Sequence, residues 1–228
     1  MSNWLEQAVT EERTWCEVRR VVSELDAHLL ASSDAINTVL EASPTLLKND
    51  RTTTLATYKV ANETLVIKRY NARNQWHKVK RSLRRTRAER CWQLSYLFFK
   101  AGLNVARPVM LLEERFGPFR QNAFFVNEML KGEELLSALP KMNAREQQQV
   151  KVAINEAFVI MQNAMLTHGD MKASNLIWNN GLLYFIDLDA AQFHRSKLTW
   201  VKANNKDRKR FLKNWCDDPV LNALFDDI

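Results

Sequence analysis

Residues 168–175, His-Gly-Asp-Met-Lys-Ala-Ser-Asn, and the later run Tyr184-Phe185-Ile186-Asp187-Leu188-Asp189 constrain this chain more than any other feature. The first stretch fits the catalytic-loop pattern H-x-D-x-K-x-x-N, and the second places an Asp at the end of a short apolar strand. Those residue types at that spacing suit phosphoryl transfer. Asp170 is placed to accept the proton of an attacking hydroxyl, and Lys172 to neutralise charge on the moving group. Asn175 and Asp187 offer oxygen ligands to Mg²⁺, a hard cation. His168 is expected to fix the loop by packing and hydrogen bonding. A polar turn between helix and strand would explain the Gly, Asp, Ser and Asn by composition. It would not explain four specified residues at fixed spacing, followed by an Asp that closes an apolar run.

Upstream, residues 52–60 are rich in β-formers, 61–63 make a turn, and Thr64-Leu65-Val66-Ile67-Lys68-Arg69-Tyr70 reads as a strand with one lysine at its apolar end. In kinases such a strand lysine pairs the α- and β-phosphates of the nucleotide. Residues 73–101 read as one long basic helix or two, ended by Gly102. Glu89 has the spacing of the helix glutamate that pairs that lysine; the alternative is a pair with one of the neighbouring arginines, contributing only ~0.2–0.5 kcal/mol. Strands at 109–112 and 122–126 lead to Glu128-Met129-Leu130-Lys131-Gly132, a hinge whose backbone at Glu128 and Leu130 is expected to hydrogen-bond adenine. Residues 143–166 form a helix with Val150, Ile154, Phe158 and Met161 on one face. No glycine precedes Gly102, so a Gly-rich phosphate lid is absent and the turn at 48–54 must serve.

The spacing of Trp15, Val18, Val22, Leu25 and Leu29 predicts a helix over 2–31, with Ser32, Ser33 and Asp34 breaking it. The organisation expected is a helical extension over 1–44, an upper lobe over 45–130 and a truncated lower lobe over 131–228. After Asp189 only 39 residues remain, too few for the full helical array of a protein-kinase lower lobe. The three cysteines, Cys16, Cys91 and Cys216, are scattered and suggest neither a disulfide framework nor a zinc site. No signal peptide and no bilayer-spanning run is expected.

Charge is segregated. The net charge is +7, yet residues 73–90 and 195–213 each hold eight Lys or Arg against a single acid. Such patches favour anionic partners: nucleic acid, anionic lipid headgroups or a phosphorylated glycan. A non-catalytic binding protein would be expected to have lost the base and metal residues, whereas Asp170, Asn175 and Asp187 are intact. Nucleic-acid binding rests on charge alone and ranks last.

The set Val66-Ile67-Lys68-Arg69-Tyr70, Thr86-Arg87-Ala88-Glu89-Arg90-Cys91-Trp92, Gly102 to Pro108, His168-Gly169-Asp170 and Ile186-Asp187-Leu188-Asp189 resembles the bacterial lipopolysaccharide core-sugar kinases, the Kdo and heptose kinase family. The resemblance covers about residues 45 to 213. It implies an α+β, two-lobed protein-kinase-like fold, with an antiparallel-sheet N-lobe and a shortened helical C-lobe. It also implies ATP and Mg²⁺ as cofactors and a sugar hydroxyl of the lipopolysaccharide core glycolipid as acceptor. The expected location is the cytoplasmic face of the inner membrane, peripheral on an anionic membrane surface. A small atypical protein kinase would share every catalytic residue.

Overall fold

The computed structural model describes residues 8–22, 32–42, 46–60, 63–71, 85–116 and 119–228. In chain order the elements are β1 (Val9–Arg13), β2 (Glu17–Val22), α1 (Ser33–Ala42), β3 (Leu46–Asn49), β4 (Thr53–Val60), β5 (Glu63–Tyr70), α2 (Arg87–Ala101) and β6 (Asn104–Val105). They continue with β7 (Pro108–Phe116), β8 (Phe119–Glu128), β9 (Glu133–Glu134), α3 (Leu135–Ala138), α4 (Ala144–Asn163), β10 (Leu166–Thr167), β11 (Leu176–Asn179), β12 (Leu182–Phe185), β13 (Gln192–Phe193), α5 (Lys197–Leu212) and α6 (Pro219–Leu224). The chain divides into two compact units, one of Met1–Gln93 with Arg107–Met129 and one of Leu94–Ala106 with Leu130–Ile228.

The first unit is built on a seven-stranded sheet in the order β1-β2-β7-β8-β5-β4-β3, with antiparallel pairing throughout. Period-2 alternation sorts its side chains. Val21, Ala56, Leu65, Ile67, Met110, Leu112, Phe124 and Val126 share a core with Ile36 and Leu40 of α1. Lys68 lies between two residues of the opposite parity, so it shares the other face with Tyr70. There the start of α2 packs: the Tyr70 hydroxyl is 3.4 Å from the Cys91 sulfur, and Thr86 donates to the Glu113 carboxylate.

The helix expected over 2–31 is corrected where the structure describes it. Residues 9–22 are a β-hairpin, with Val9 opposite Val22 and Arg13 opposite Val18. Val18 and Val22 do recur at a helical step, but so do they at twice the strand period. The β-branched Val18, Val21 and Val22 favour extended backbone, and β2 gains a full ladder on β7. Trp15, expected in the stripe, sits in the turn and is exposed. Residues 32–34 start a helix: the Ser32 hydroxyl accepts the Ala35 N–H at 3.2 Å, the work of an N-cap. Leu25, Leu29 and residues 72–84 of the basic segment lie outside the described residues.

In the second unit, α4 begins with a capping box, Asn143 accepting the N–H of Glu146 while Glu146 accepts that of Asn143. It buries Val150, Ile154, Phe158 and Met161, the face expected. A four-stranded sheet in the order β6-β12-β11-β9 carries the hairpin β11–β12. Asn180 and Gly181 close it with φ of 49° and 78°, as a two-residue hairpin turn requires.

Candidate active site

The loop between β10 and β11 is held from beneath by helix α5. Asp207 is buried, and its Oδ2 accepts the backbone N–H of His168 at 2.8 Å and of Gly169 at 3.0 Å. Burial pushes the Asp207 pKa up, against the pull of those two N–H groups. His168 is fully buried, and its Nε2 donates to the Ile186 carbonyl at 3.0 Å, which ties the loop to the Asp187 segment. Burial pushes the imidazole pKa down, against nearby carboxylates of which Asp207 is the strongest. The Phe185 ring lies 5.9 Å from both Phe98 and His168, filling the space behind the loop.

Gly169 is required twice over. Its φ is +81°, and a Cβ there would lie 2.2 Å from the Ala190 carbonyl oxygen. A side chain at this position would require the Ala190 segment to move.

Asp170 projects from this scaffold. Lys172 Nζ lies 3.0 Å from its Oδ2, and Arg210 Nε donates to its Oδ1 at 3.1 Å. Burial works to raise the carboxyl pKa, but the hydrogen bonds and charges of Lys172 and Arg210 outweigh it, and Asp170 lies below the ordinary carboxylate value. Asn175 donates its amide N–H to the Asp170 carbonyl at 2.8 Å, which leaves the amide oxygen for another partner. Ile186 N–H bonds the Asn175 carbonyl at 3.0 Å, and this sets Asp187 beside Asn175. Asp187 adopts a left-handed conformation, φ 57° and ψ 58°. That geometry costs a non-glycine residue on the order of 1 kcal/mol and directs its chain sharply out of β12.

The second unit therefore brings together Asp170, Lys172, Asn175 and Asp187, the loop residues expected from sequence. Lys68, Glu89 and Glu128 belong to the first unit, and Leu130 begins the second. The Lys68 ammonium sits 5.3 Å from the Tyr70 ring centroid. The expected Lys68–Glu89 pair is corrected: the Glu89 carboxylate is turned to Arg20 at 3.9 Å and Arg120 at 3.8 Å. Two guanidiniums, one from β2 and one from β8, face it in this structure. At the hinge, Glu128 N–H bonds the Arg107 carbonyl at 3.0 Å and Met129 N–H the Thr64 carbonyl at 2.8 Å, so both are already committed. The Glu128 carboxylate accepts the Arg107 N–H at 3.2 Å.

Sequence reasoning missed Asp207 and Arg210. A signal existed: Asp207 is the single acid among eight cations over 195–213, and it falls on the helical stripe of Trp200, Asn204 and Phe211 that α5 buries. Among the described residues no group of three or more His, Cys, Asp or Glu is arranged to hold a metal alone. One carboxylate and one amide oxygen nevertheless fit Mg²⁺, which commonly keeps waters and takes substrate phosphates as its remaining ligands.

A family model described as lipopolysaccharide kinase (Kdo/WaaP) matches residues 43–221. The solved structure of WaaP in complex with acyl carrier protein superposes with a TM-score of 0.61, covering 91% of this chain and 92% of that chain at 18% identity. That likeness shows the fold, an α+β kinase-like fold with an antiparallel sheet in its first unit. The KEOPS complex subunit Bud32 of Pyrococcus abyssi (strain GE5 / Orsay) is 33% identical over 73 residues, 32% of this chain and 33% of the relative. The chain thus spans about a third of the length of that curated relative.

Proposed function

The chain belongs to the lipopolysaccharide kinase (Kdo/WaaP) family, and from that premise we propose that it transfers a phosphoryl group from ATP to a sugar hydroxyl, heptose or Kdo, of the lipopolysaccharide inner core. Its class is that of its family, a phosphotransferase with an alcohol group as acceptor. The observation that carries the reading is Asp170, a carboxylate of lowered pKa fixed between Lys172 and Arg210 on a loop anchored by Asp207. It is ionised at neutral pH and placed to take the proton of the acceptor hydroxyl. Lys172 balances charge on the phosphoryl group in transit. ATP would be held by Lys68 at its phosphates and at adenine by the backbone of the hinge at Glu128 and Leu130. Asp187 and Asn175 would hold Mg²⁺, which when bound supplies a positive charge to the phosphate oxygens. Mass analysis of core glycolipid from cells with and without the gene tests the acceptor; a difference of one phosphate on heptose or Kdo is expected. An unchanged core, together with transfer to a protein in an acceptor screen, would favour a small atypical protein kinase instead.

Lys68→Met is expected to lower kcat/KM for ATP by roughly 10²-fold or more, the scale seen when one preorganised charge is removed from a transition state. Glu89→Gln should do less harm, because its carboxylate meets Arg20 and Arg120 and touches no substrate. Steady-state kinetics with varied ATP checks both. Near-wild-type turnover in Lys68→Met would move the nucleotide site away from β5.

We also propose work at the cytoplasmic face of the inner membrane, as a peripheral protein. No helix among the described residues is long and apolar enough to cross a membrane. Support comes from α5 and its approach: Arg195, Lys197, Lys202, Lys206, Lys209 and Lys213 are exposed, and so is Leu198, on the helix that also carries Arg210 to Asp170. Each such cation near an anionic bilayer contributes about 1 kcal/mol. Lys202, Lys206, Lys209 and Lys213 changed together to Gln should reduce sedimentation with anionic liposomes at low salt while sparing a soluble acceptor. Equal sedimentation of variant and wild type would remove α5 from the membrane contact.

A further inference from the structure

We infer that Arg210 reads the acceptor: the part of its guanidinium that Asp170 leaves unused binds an anionic group, a carboxylate or a phosphate, carried by the sugar that is phosphorylated. This rests on the function proposed above and adds to it the chemical class of the acceptor. Arg210 meets Asp170 through one nitrogen. Its Nε donates to Oδ1 at 3.1 Å, and among the described residues that is the one hydrogen bond its side chain makes. A guanidinium has five N–H groups, so the four on Nη1 and Nη2 are left for another partner. The side chain is 41% exposed, which lets a ligand reach them. Lys172 and Arg210 together also carry one positive charge more than Asp170 balances.

The two oxygens of the base are not equivalent. Oδ2 meets Lys172 Nζ at 3.0 Å and the Asn175 amide at 3.4 Å, which engages both of its lone pairs and turns it to the residues proposed for the phosphoryl group and the metal. Oδ1 meets Arg210 alone and keeps a lone pair. The acceptor hydroxyl therefore gives its proton to Oδ1, as its oxygen bonds the γ-phosphorus and the bond to the β-phosphate oxygen of ADP breaks. A sugar held at that oxygen lies against Arg210. An anion on its ring, or on the ring next to it, meets the two Nη groups, whose planar fork matches a carboxylate or a phosphate. Of the two acceptors proposed, Kdo is a sugar acid and brings a carboxylate, whereas heptose brings an anion only once it is phosphorylated. An arginine that did no more than support Asp170 would treat charged and neutral acceptors alike.

Soluble acceptors in matched pairs test this with the full chain, ATP and Mg²⁺: a Kdo glycoside beside its methyl ester, and a heptose glycoside beside its phosphate monoester. The wild type is expected to prefer the charged member of one pair by about tenfold or more in kcat/KM, mainly through KM, the scale of one charge-assisted hydrogen bond. Preference for the sugar acid assigns a carboxylate as the group read; preference for the heptose phosphate assigns a phosphate. Arg210→Lys keeps a cation but loses the planar fork, and Arg210→Gln loses the charge. Each should erase most of that preference, beyond whatever activity both members lose in common through Asp170. Calorimetry with the same sugars and a non-hydrolysable ATP analogue reads the binding without transfer, and Kd for the charged sugar should rise about tenfold in Arg210→Lys. A retained response to the analogue alone shows that the variants are folded. No preference in the wild type, or a preference that survives both substitutions, overturns the inference. Arg210-dependent binding without phosphorylation of any sugar would count against the proposed function and leave this subsite standing. Transfer to charged and neutral sugars alike would do the reverse.

Discussion

Asp170→Ala should lower kcat by about 10²–10⁴, the usual contribution of a positioned general base, and leave the affinity for an ATP analogue within a few-fold of wild type. The carboxylate faces Lys172 and Arg210 and has no assigned contact with the nucleotide. Asp187→Ala should behave differently, losing Mg²⁺-dependent nucleotide binding along with turnover, because Asp187 is the carboxylate we propose to hold the metal. Calorimetry with the analogue, with and without Mg²⁺, separates the two. Equal loss of binding in both variants would sink this division of roles.

Asp207→Ala should cost both activity and stability, although the residue touches no substrate. Its Oδ2 holds two backbone N–H groups of the catalytic loop, and a hydrogen bond to a charged group contributes about 1.5–3 kcal/mol. A loss of roughly 3 kcal/mol is expected after allowing for relief of the buried charge, or on the order of 10 °C in Tm for a chain of this size. Asp207→Asn keeps an acceptor oxygen and should recover much of the stability. A scan in which Asp207→Ala melts with the wild type would show the loop to be held by other means.

What sequence could and could not reveal follows from the range of each interaction. Asp170, Lys172 and Asn175 lie within six residues, so their spacing alone states their geometry. Asp207 and Arg210 reach the same loop from some forty residues away, and in the sequence they were visible only as part of a basic stretch. The N-terminal hairpin was misread for a related reason: a helical step of four is also two strand repeats, and the deciding partner, β7, lies about ninety residues further on. Glu89 teaches a third limit. Spacing shows which partners a side chain can reach, but Arg20 and Arg120, brought in by β2 and β8, decide which it meets.

The hairpin β1–β2 precedes the matched family span, which begins at residue 43. Yet it continues the same sheet, and β2 takes up the backbone groups along Met110–Glu114. A fragment trimmed to the family boundaries would leave β7 as an open edge whose own residues Met110, Leu111 and Leu112 are buried and apolar. Unprotected edges of that character invite pairing with other chains. For this protein the boundary of recognisable ancestry and the boundary of a self-sufficient sheet are therefore different places, and expression work should respect the second.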